Sequence, residues 1–327
     1  MTEFTVAIPT FNGASRIIQV LDRLRSQQDI ESLQWTVIVV DNNSTDNIAE
    51  VLETYNSQHP LPYDLIHIIE KQQGAAFARQ KAIQVASSNW VGFLDDDVLP
   101  APHWVAKAIE FAQQATNIAV FGGQIHGDFE VSPPENFGRI QSFLAIRERG
   151  NSPHQYDPVQ LILPPSAAWV VHRQAWLAAV PPCPTLSGRV KGSMVQGDDY
   201  EPLLYLHQAG WEIWYNPTMH VHHHIPSWRL ERDYLMALSR GCGLCICSLR
   251  MMNTSLWQKP IVFAKITMGS LKRLCRHWIQ YRKQTKFDLV LACERAFFTS
   301  SFLSSFYFVW NKIMPKQHQL SATKKSY

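Results

Sequence analysis

Short, strongly apolar runs alternate with amphipathic stretches over the first hundred residues, and this alternation limits the chain to few folds. TVAIP (5–9), TVIVVD (36–41), DLIHII (64–69) and WVGFLDDD (90–97) are brief and rich in β-branched residues. They are apolar at successive positions, as strands buried on both faces must be. Between them, residues 14–27, 46–55 and 74–86 carry apolar side chains at helical spacing, and Asn43-Ser44-Thr45-Asp46 offers caps for the second helix. Alternation of this kind predicts an α/β fold, a doubly wound, mostly parallel sheet with right-handed crossovers. Ligands of such sheets sit beyond the carboxyl ends of the strands, where the polar clusters of this sequence fall.

The second half is less regular. Residues 119–127 and 166–173 read as strands, and 198–211 as a helix closed by Gly210 and followed by the strand EIWYNP. From about residue 234 the chain reads as helical, basic and aromatic. Residues 1–233 hold 15 Lys/Arg against 25 Asp/Glu, whereas 234–327 hold 15 against only Asp288 and Glu294. So basic a tail calls for an anionic partner, a membrane surface or nucleic acid. Its most apolar run, 297–310, is 14 residues long, short of the roughly 20 that a spanning helix needs. A helix docked on an anionic membrane fits it better. The amino terminus has no basic segment leading into an apolar core. The six cysteines are not spaced as a disulfide framework, and Cys242 and Cys245 form a single C-x-x-C. A reduced, cytoplasmic chain is the expectation.

Asp95-Asp96-Asp97, directly after a strand, is the strongest chemical signal. Three successive carboxylates repel one another, and a divalent cation bridging to a phosphate would relieve them. Hard oxygen ligands suit Mg²⁺ or Mn²⁺; a solvated acidic turn is the plainer alternative. Asp41 ends the second strand, where a carboxylate can accept from a ribose or base, or cap the next helix. Pro9-Thr10-Phe11-Asn12 gives a turn with an aromatic face for a base. Gly74 opens a helix on which Arg79 could reach a phosphate, or be an ordinary surface arginine. Asp198 and Asp199 start a helix as caps or as a general base. In an extended segment His220, His222 and His224 share one face and His223 takes the other, so one of them could complete the metal shell. There is neither a G-x-G-x-x-G nor a Walker sequence.

Taken together, TVAIPTFN, VIVVDNNSTDN, the Gly74 to Arg79 helix, FLDDD and the stretch QGDDYEPLLYLHQAG to YNP and His222 resemble family 2 inverting glycosyltransferases of the GT-A fold. The match covers roughly residues 3–230, and the chain looks most like the cyanobacterial branch acting in hormogonium polysaccharide synthesis. The resemblance implies that Pro9, Thr10, Phe11, Asn12, Asp41 and Arg79 hold the nucleotide of a UDP- or GDP-sugar. Asp95 and Asp96 would face the ribose and diphosphate. Asp97 would bind the metal, with Asp95 and His222 as further ligands. The family's second motif reads Glu-Asp, its Asp being the catalytic base; here it is Asp198-Asp199, and Asp199 aligns with the base.

The expected organisation is a catalytic domain over 1–233, with a nucleotide-binding half (1–118) and an acceptor half (119–233), then the basic helical tail, 234–327. The expected activity is sugar transfer to a glycan or lipid-linked acceptor in polysaccharide synthesis, peripheral to the inner face of the plasma membrane. A sugar-phosphate nucleotidyltransferase is a rival, but PTFNGASR has one glycine where that class has a glycine-rich phosphate loop. A nucleic-acid-binding protein is a second rival, and its acidic first two-thirds would repel a phosphate backbone.

Overall fold

The computed structural model describes residues 4–114, 116–188 and 193–313. The chain divides into two compact units: Met1–Ser193 with Gly197–Glu231, and Met194–Gln196 with Arg232–Tyr327.

The first unit begins as the hydrophobic periodicity dictates. Strand β1 (Phe4–Thr10) leads into α1 (Ile17–Arg25), β2 (Trp35–Asp41) into α2 (Ile48–Gln58), and β3 (Asp64–Ile69) into α3 (Ala75–Val85). Then come β4 (Trp90–Phe93), β5 (Val98–Pro100), α4 (Trp104–Gln113) and the long β6 (Ile118–Phe129). After the short β7 (His154–Gln155) follow β8 (Trp169–His172), α5 (Arg173–Ala179), α6 (Tyr200–Gln208) and β9 (Glu212–Ile225). The described strands form one sheet in the order β3-β2-β1-β4-β8-β6-β9-β5, with β7 also on β9.

Strands β3, β2, β1 and β4 are parallel, as expected of strand–helix alternation. Beyond them the sheet is mixed rather than mostly parallel. β8 runs antiparallel to both β4 and β6, and β5 and β7 run antiparallel to β9, while β6 and β9 are parallel. The core lies where β1 and β2 meet α1 and α4, with Phe4, Val6, Ile8, Val37, Leu21 and Trp104 all buried.

Three local expectations change. The run 90–97 is not one strand: β4 stops at Phe93, and Asp95–Asp97 form a turn before β5. DLIHII is a strand, but at the sheet edge, so Ile66 and Ile69 are exposed rather than buried. Ser44 and Asp46 do not cap α2. They accept from the backbone N–H of Asn12 and Ala14 instead, tying the loop after β2 to the loop after β1.

The second unit is helical: α7 (Arg232–Leu244), α8 (Ile246–Met252), α9 (Lys259–Tyr281) and α10 (Leu289–Ile313). Small residues let α7 approach α10, since a Cβ on Gly243 would lie 2.6 Å from the Phe297 carbonyl oxygen. Buried Ser301 satisfies its hydroxyl on the Phe297 carbonyl one turn back, which lets a polar side chain sit inside a helix contact. Among the described helices, the Arg232–Met252 stretch is long and apolar enough to cross a membrane, and half of its apolar window is buried within the protein.

Candidate active site

The turn after β4 is pinned by backbone bonds, Leu94 N–H to the Ala7 carbonyl (3.1 Å) and Val98 N–H to the Asp95 carbonyl (3.1 Å). This pinning sends three adjacent carboxylates into three different environments. Asp96 turns inward and accepts from Thr10 Oγ1 at 2.6 Å and from Arg16 Nη2 at 2.9 Å and Nε at 3.1 Å. Gly13 makes room, because a Cβ there would overlap both Thr10 Oγ1 and Asp96 Oδ2. Burial raises the Asp96 pKa, Arg16 pulls it back, and Asp97 pushes it up again. Three donors already occupy this carboxylate. Asp96 therefore fastens the loop after β1 to the turn after β4, and Thr10 serves the same clasp.

Asp97 lies against the end of β9. Its Oδ2 accepts from Arg229 Nη2 at 2.6 Å, and its Oδ1 is 3.5 Å from His223 Nε2. Burial would raise its pKa, and the Arg229 guanidinium bonded to it opposes burial and holds the carboxyl below the usual range. His223 Nδ1 lies 2.9 Å from the Leu144 carbonyl. An Nδ1–H donated there leaves Nε2 with a free electron pair, which accepts from Arg229 Nη1 at 3.0 Å. Asp95, part-exposed, lies near enough to Arg79 to raise the pKa of that guanidinium.

His222, expected to ligate a metal, does not meet Asp97. It is exposed on the opposite face of β9, where its ring lies 5.3 Å from that of His126, itself bonded to His220 at 2.9 Å. A signal for the histidine that meets Asp97 was present. Met219, Val221 and Ile225 mark the buried face of the strand, and period-two alternation puts His223 on that face. Nothing in the sequence pointed to Arg229 or Arg16.

The second cluster stands before α6. Arg79, expected at the nucleotide, is buried and donates from Nη1 to Asp198 Oδ2 at 2.8 Å. Burial would lower its pKa; Asp198, Asp95 and Asp199 outweigh that. Gly188, at φ +80°, lets the loop before α6 pass directly over Asp198. Asp199 sits at the helix N-cap without capping it. Burial first, and then repulsion from Asp198, push its carboxyl up to about 7 against the pull of Arg79. Such a carboxyl is poised to take up and release a proton near neutrality.

A third set of groups gathers at the carboxyl ends of β1, β2 and β3. Phe11 is 47% exposed at the turn. Asn12, at φ +50°, accepts from Thr45 N–H through Oδ1 at 2.8 Å. Asp41 uses one oxygen to accept from Ser44 N–H at 2.8 Å. Asn42 accepts from Gly74 N–H at 2.7 Å, setting the start of α3. Pro9 lies within β1, paired in register with Val40.

Known proteins share part of this sequence and its fold. Residues 5–163 match the family model described as glycosyl transferase family 2. That segment is similar to glycosyl transferase family 2. It is 32% identical over 118 residues to YfnE of Bacillus subtilis, described as an uncharacterized glycosyltransferase, a match covering 36% of this chain and 29% of that one. It is 30% identical over 152 residues to glycosyltransferase AglE of Haloferax volcanii, covering 44% of this chain and 48% of that one. The match thus spans less than half the length of either relative. Among solved structures, the mannosyltransferase PcManGT from Pyrobaculum calidifontis, in complex with GDP-Man and Mn²⁺, superposes with a TM-score of 0.60 at 17% identity. That superposition covers 95% of this chain and 88% of that one. The fold is that of the GT-A nucleotide-sugar transferases.

Proposed function

We propose that this chain is a member of glycosyl transferase family 2, an inverting, divalent-cation-dependent glycosyltransferase. It would move a sugar from a UDP- or GDP-linked donor to a hydroxyl of a glycan or lipid-linked acceptor in cell-surface or extracellular polysaccharide synthesis. The observation that carries the reading is Asp199, a carboxyl with a pKa of about 7 joined through Arg79 to the carboxylate triplet.

The donor set fits a cation. Asp97 Oδ1 and the His223 Nε2 electron pair are 3.5 Å apart, near the roughly 3 Å between adjacent ligands on an octahedral ion with bonds of about 2.1 Å. The Nδ1 contact to Leu144 orients the ring as ligating histidines require. Among the described residues no three His, Cys, Asp or Glu side chains converge. The remaining positions would then fall to donor phosphates and water, the habit of Mg²⁺ and Mn²⁺ rather than of structural zinc. When bound, the cation neutralises charge on the departing nucleotide diphosphate.

The chain's own groups do the rest. Phe11 offers a face for the base, and the Asp41 oxygen not used by Ser44, which lies 3.9 Å from His67 Nε2, would accept from a sugar hydroxyl. Arg79 holds Asp198, and Asp198 in turn keeps the Asp199 carboxylate basic. Asp199 would remove the proton from the acceptor hydroxyl as it attacks the anomeric carbon opposite the leaving diphosphate, inverting that centre. One base is enough for such a single displacement.

Asp199→Asn should lower turnover by at least about a hundredfold, the low end of what general bases contribute, while donor affinity stays within twofold or so. Wild-type turnover in the folded variant would remove Asp199 from this role.

The second unit supports a membrane-peripheral placement at the cytoplasmic leaflet. Trp257, Ile261, Met268, Leu271, Trp278 and Ile279 are all exposed on or just before α9, among exposed Lys265, Lys272, Arg273 and Arg276. A basic and aromatic helix face of this kind lies in an anionic interface.

A further inference from the structure

The pair of atoms that suits a cation already holds one. Arg229 Nη2 is 2.6 Å from Asp97 Oδ2, and Arg229 Nη1 is 3.0 Å from the acceptor nitrogen of His223. The guanidinium thus binds the same carboxylate and imidazole that a divalent ion would use. Its Cζ also lies 5.3 Å from the ring centre of Trp228, and its buried Nε–H has no partner.

We infer that Arg229 is a displaceable occupant of the cation site, which must leave Asp97 and His223 before a divalent ion can bind, and which makes ion binding depend on the donor diphosphate. Two cations cannot share this pair. The ion needs the Nε2 electron pair that Arg229 engages, and it would stand against the guanidinium charge in a poorly solvated site. Without the ion, Arg229 keeps the buried carboxylate balanced, so the site stays folded and closed to free metal. A diphosphate changes the competition. Its oxygens match the planar guanidinium fork as well as a carboxylate does, so Arg229 has a second place to go and Asp97 is released to the ion. Ion and nucleotide then raise each other's affinity by the same factor. This inference rests on the nucleotide-diphosphate reading above and adds the order of events at that site. Arg229 acts here as a positioning residue.

The test is Mn²⁺ binding to the full chain, followed by the loss of the free-ion electron paramagnetic resonance signal, first with Mn²⁺ alone and then with UDP or GDP. In wild type, Mn²⁺ alone should bind weakly, and the better nucleotide should tighten it at least about tenfold, within the range over which neighbours of metal ligands act. Arg229→Gln should bind Mn²⁺ alone about tenfold more tightly than wild type and lose most of the nucleotide coupling. Arg229→Lys, which keeps the charge but not the fork, should fall between. Unchanged or weaker Mn²⁺ binding in folded Arg229→Gln overturns the inference. So does a wild type whose Mn²⁺ affinity ignores both nucleotides, a result that needs no variant. If the chain transfers no sugar from UDP- or GDP-linked donors but Mn²⁺ binding still rises in Arg229→Gln, the glycosyltransferase reading falls and the occupancy of the site by Arg229 stands.

Discussion

Asp199 carries opposing influences. Burial and Asp198 disfavour its charge, Arg79 favours it, and the balance leaves the carboxyl at about 7. A base of this kind works only when deprotonated, so kcat/KM for transfer should fall on the acid side with a midpoint near pH 7, and Asp199→Asn should erase that limb. The same shift has a sign for stability. A carboxyl whose pKa is raised on folding is neutral in the native state between about pH 4 and pH 7 but already charged when unfolded. Native stability therefore drains away across that window as pH rises. Relative to wild type, Asp199→Asn should gain Tm as pH climbs from 4 to 7 and keep the gain above it. A flat Tm difference from pH 4 to 8, together with an unchanged acid limb, would show that Asp199 does not titrate there. At this scale the sequence was legible in residue type but not in partner. It marked Asp97 and Asp199. It did not foresee the partners of Asp96, Arg79 and His222, because Arg16, Asp198 and His126 are 80, 119 and 96 positions away, a distance over which no local pattern speaks.

Whole elements were easier to read than contacts. The four parallel strands of the amino-terminal half follow from apolar, β-branched runs spaced by helices, and each was found within a few residues. The antiparallel β8 and the pairing of β6 with β9 were not visible, since strand direction in a mixed sheet is set by connections rather than by residue pattern. Strand β9 shows how an element places chemistry. Its register against β6 slips between Gly122 and Gln124, a bulge that fixes which histidines face inward. Gly123 sits at that slip, and a Cβ on it would meet the backbone of Met219, including that residue's carbonyl carbon at 2.9 Å. Gly123→Ala should therefore cost about 1–3 kcal/mol of stability, as overpacking does. It should weaken Mn²⁺ binding as well, by shifting His223 relative to Asp97. A variant with wild-type Tm and wild-type Mn²⁺ affinity would mean that the bulge does not set the site.

On the scale of the whole molecule, charge is divided along the chain, 25 acidic and 15 basic residues up to 233 and only 2 acidic against 15 basic beyond it. An acidic unit gains nothing from approaching a negatively charged surface, so attraction to such a surface must come from the second unit. There the cations of α9 stand beside exposed tryptophans, which suit the headgroup region of a bilayer. The full chain should float with phosphatidylserine-containing vesicles, float poorly with pure phosphatidylcholine, and release as salt rises. Each basic residue near an anionic surface contributes about 1 kcal/mol, so replacing Lys265, Lys272, Arg273 and Arg276 with Gln together should weaken binding at least about a hundredfold. Replacing Trp257 and Trp278 with Ser should weaken it in high salt too, where only the apolar contribution remains. If the quadruple variant floats as well as wild type, charge is not what brings the chain to the membrane. If wild type fails to float with either vesicle, the basic face belongs to another anionic partner, and a salt-dependent shift with a nucleic-acid duplex becomes the measurement that decides.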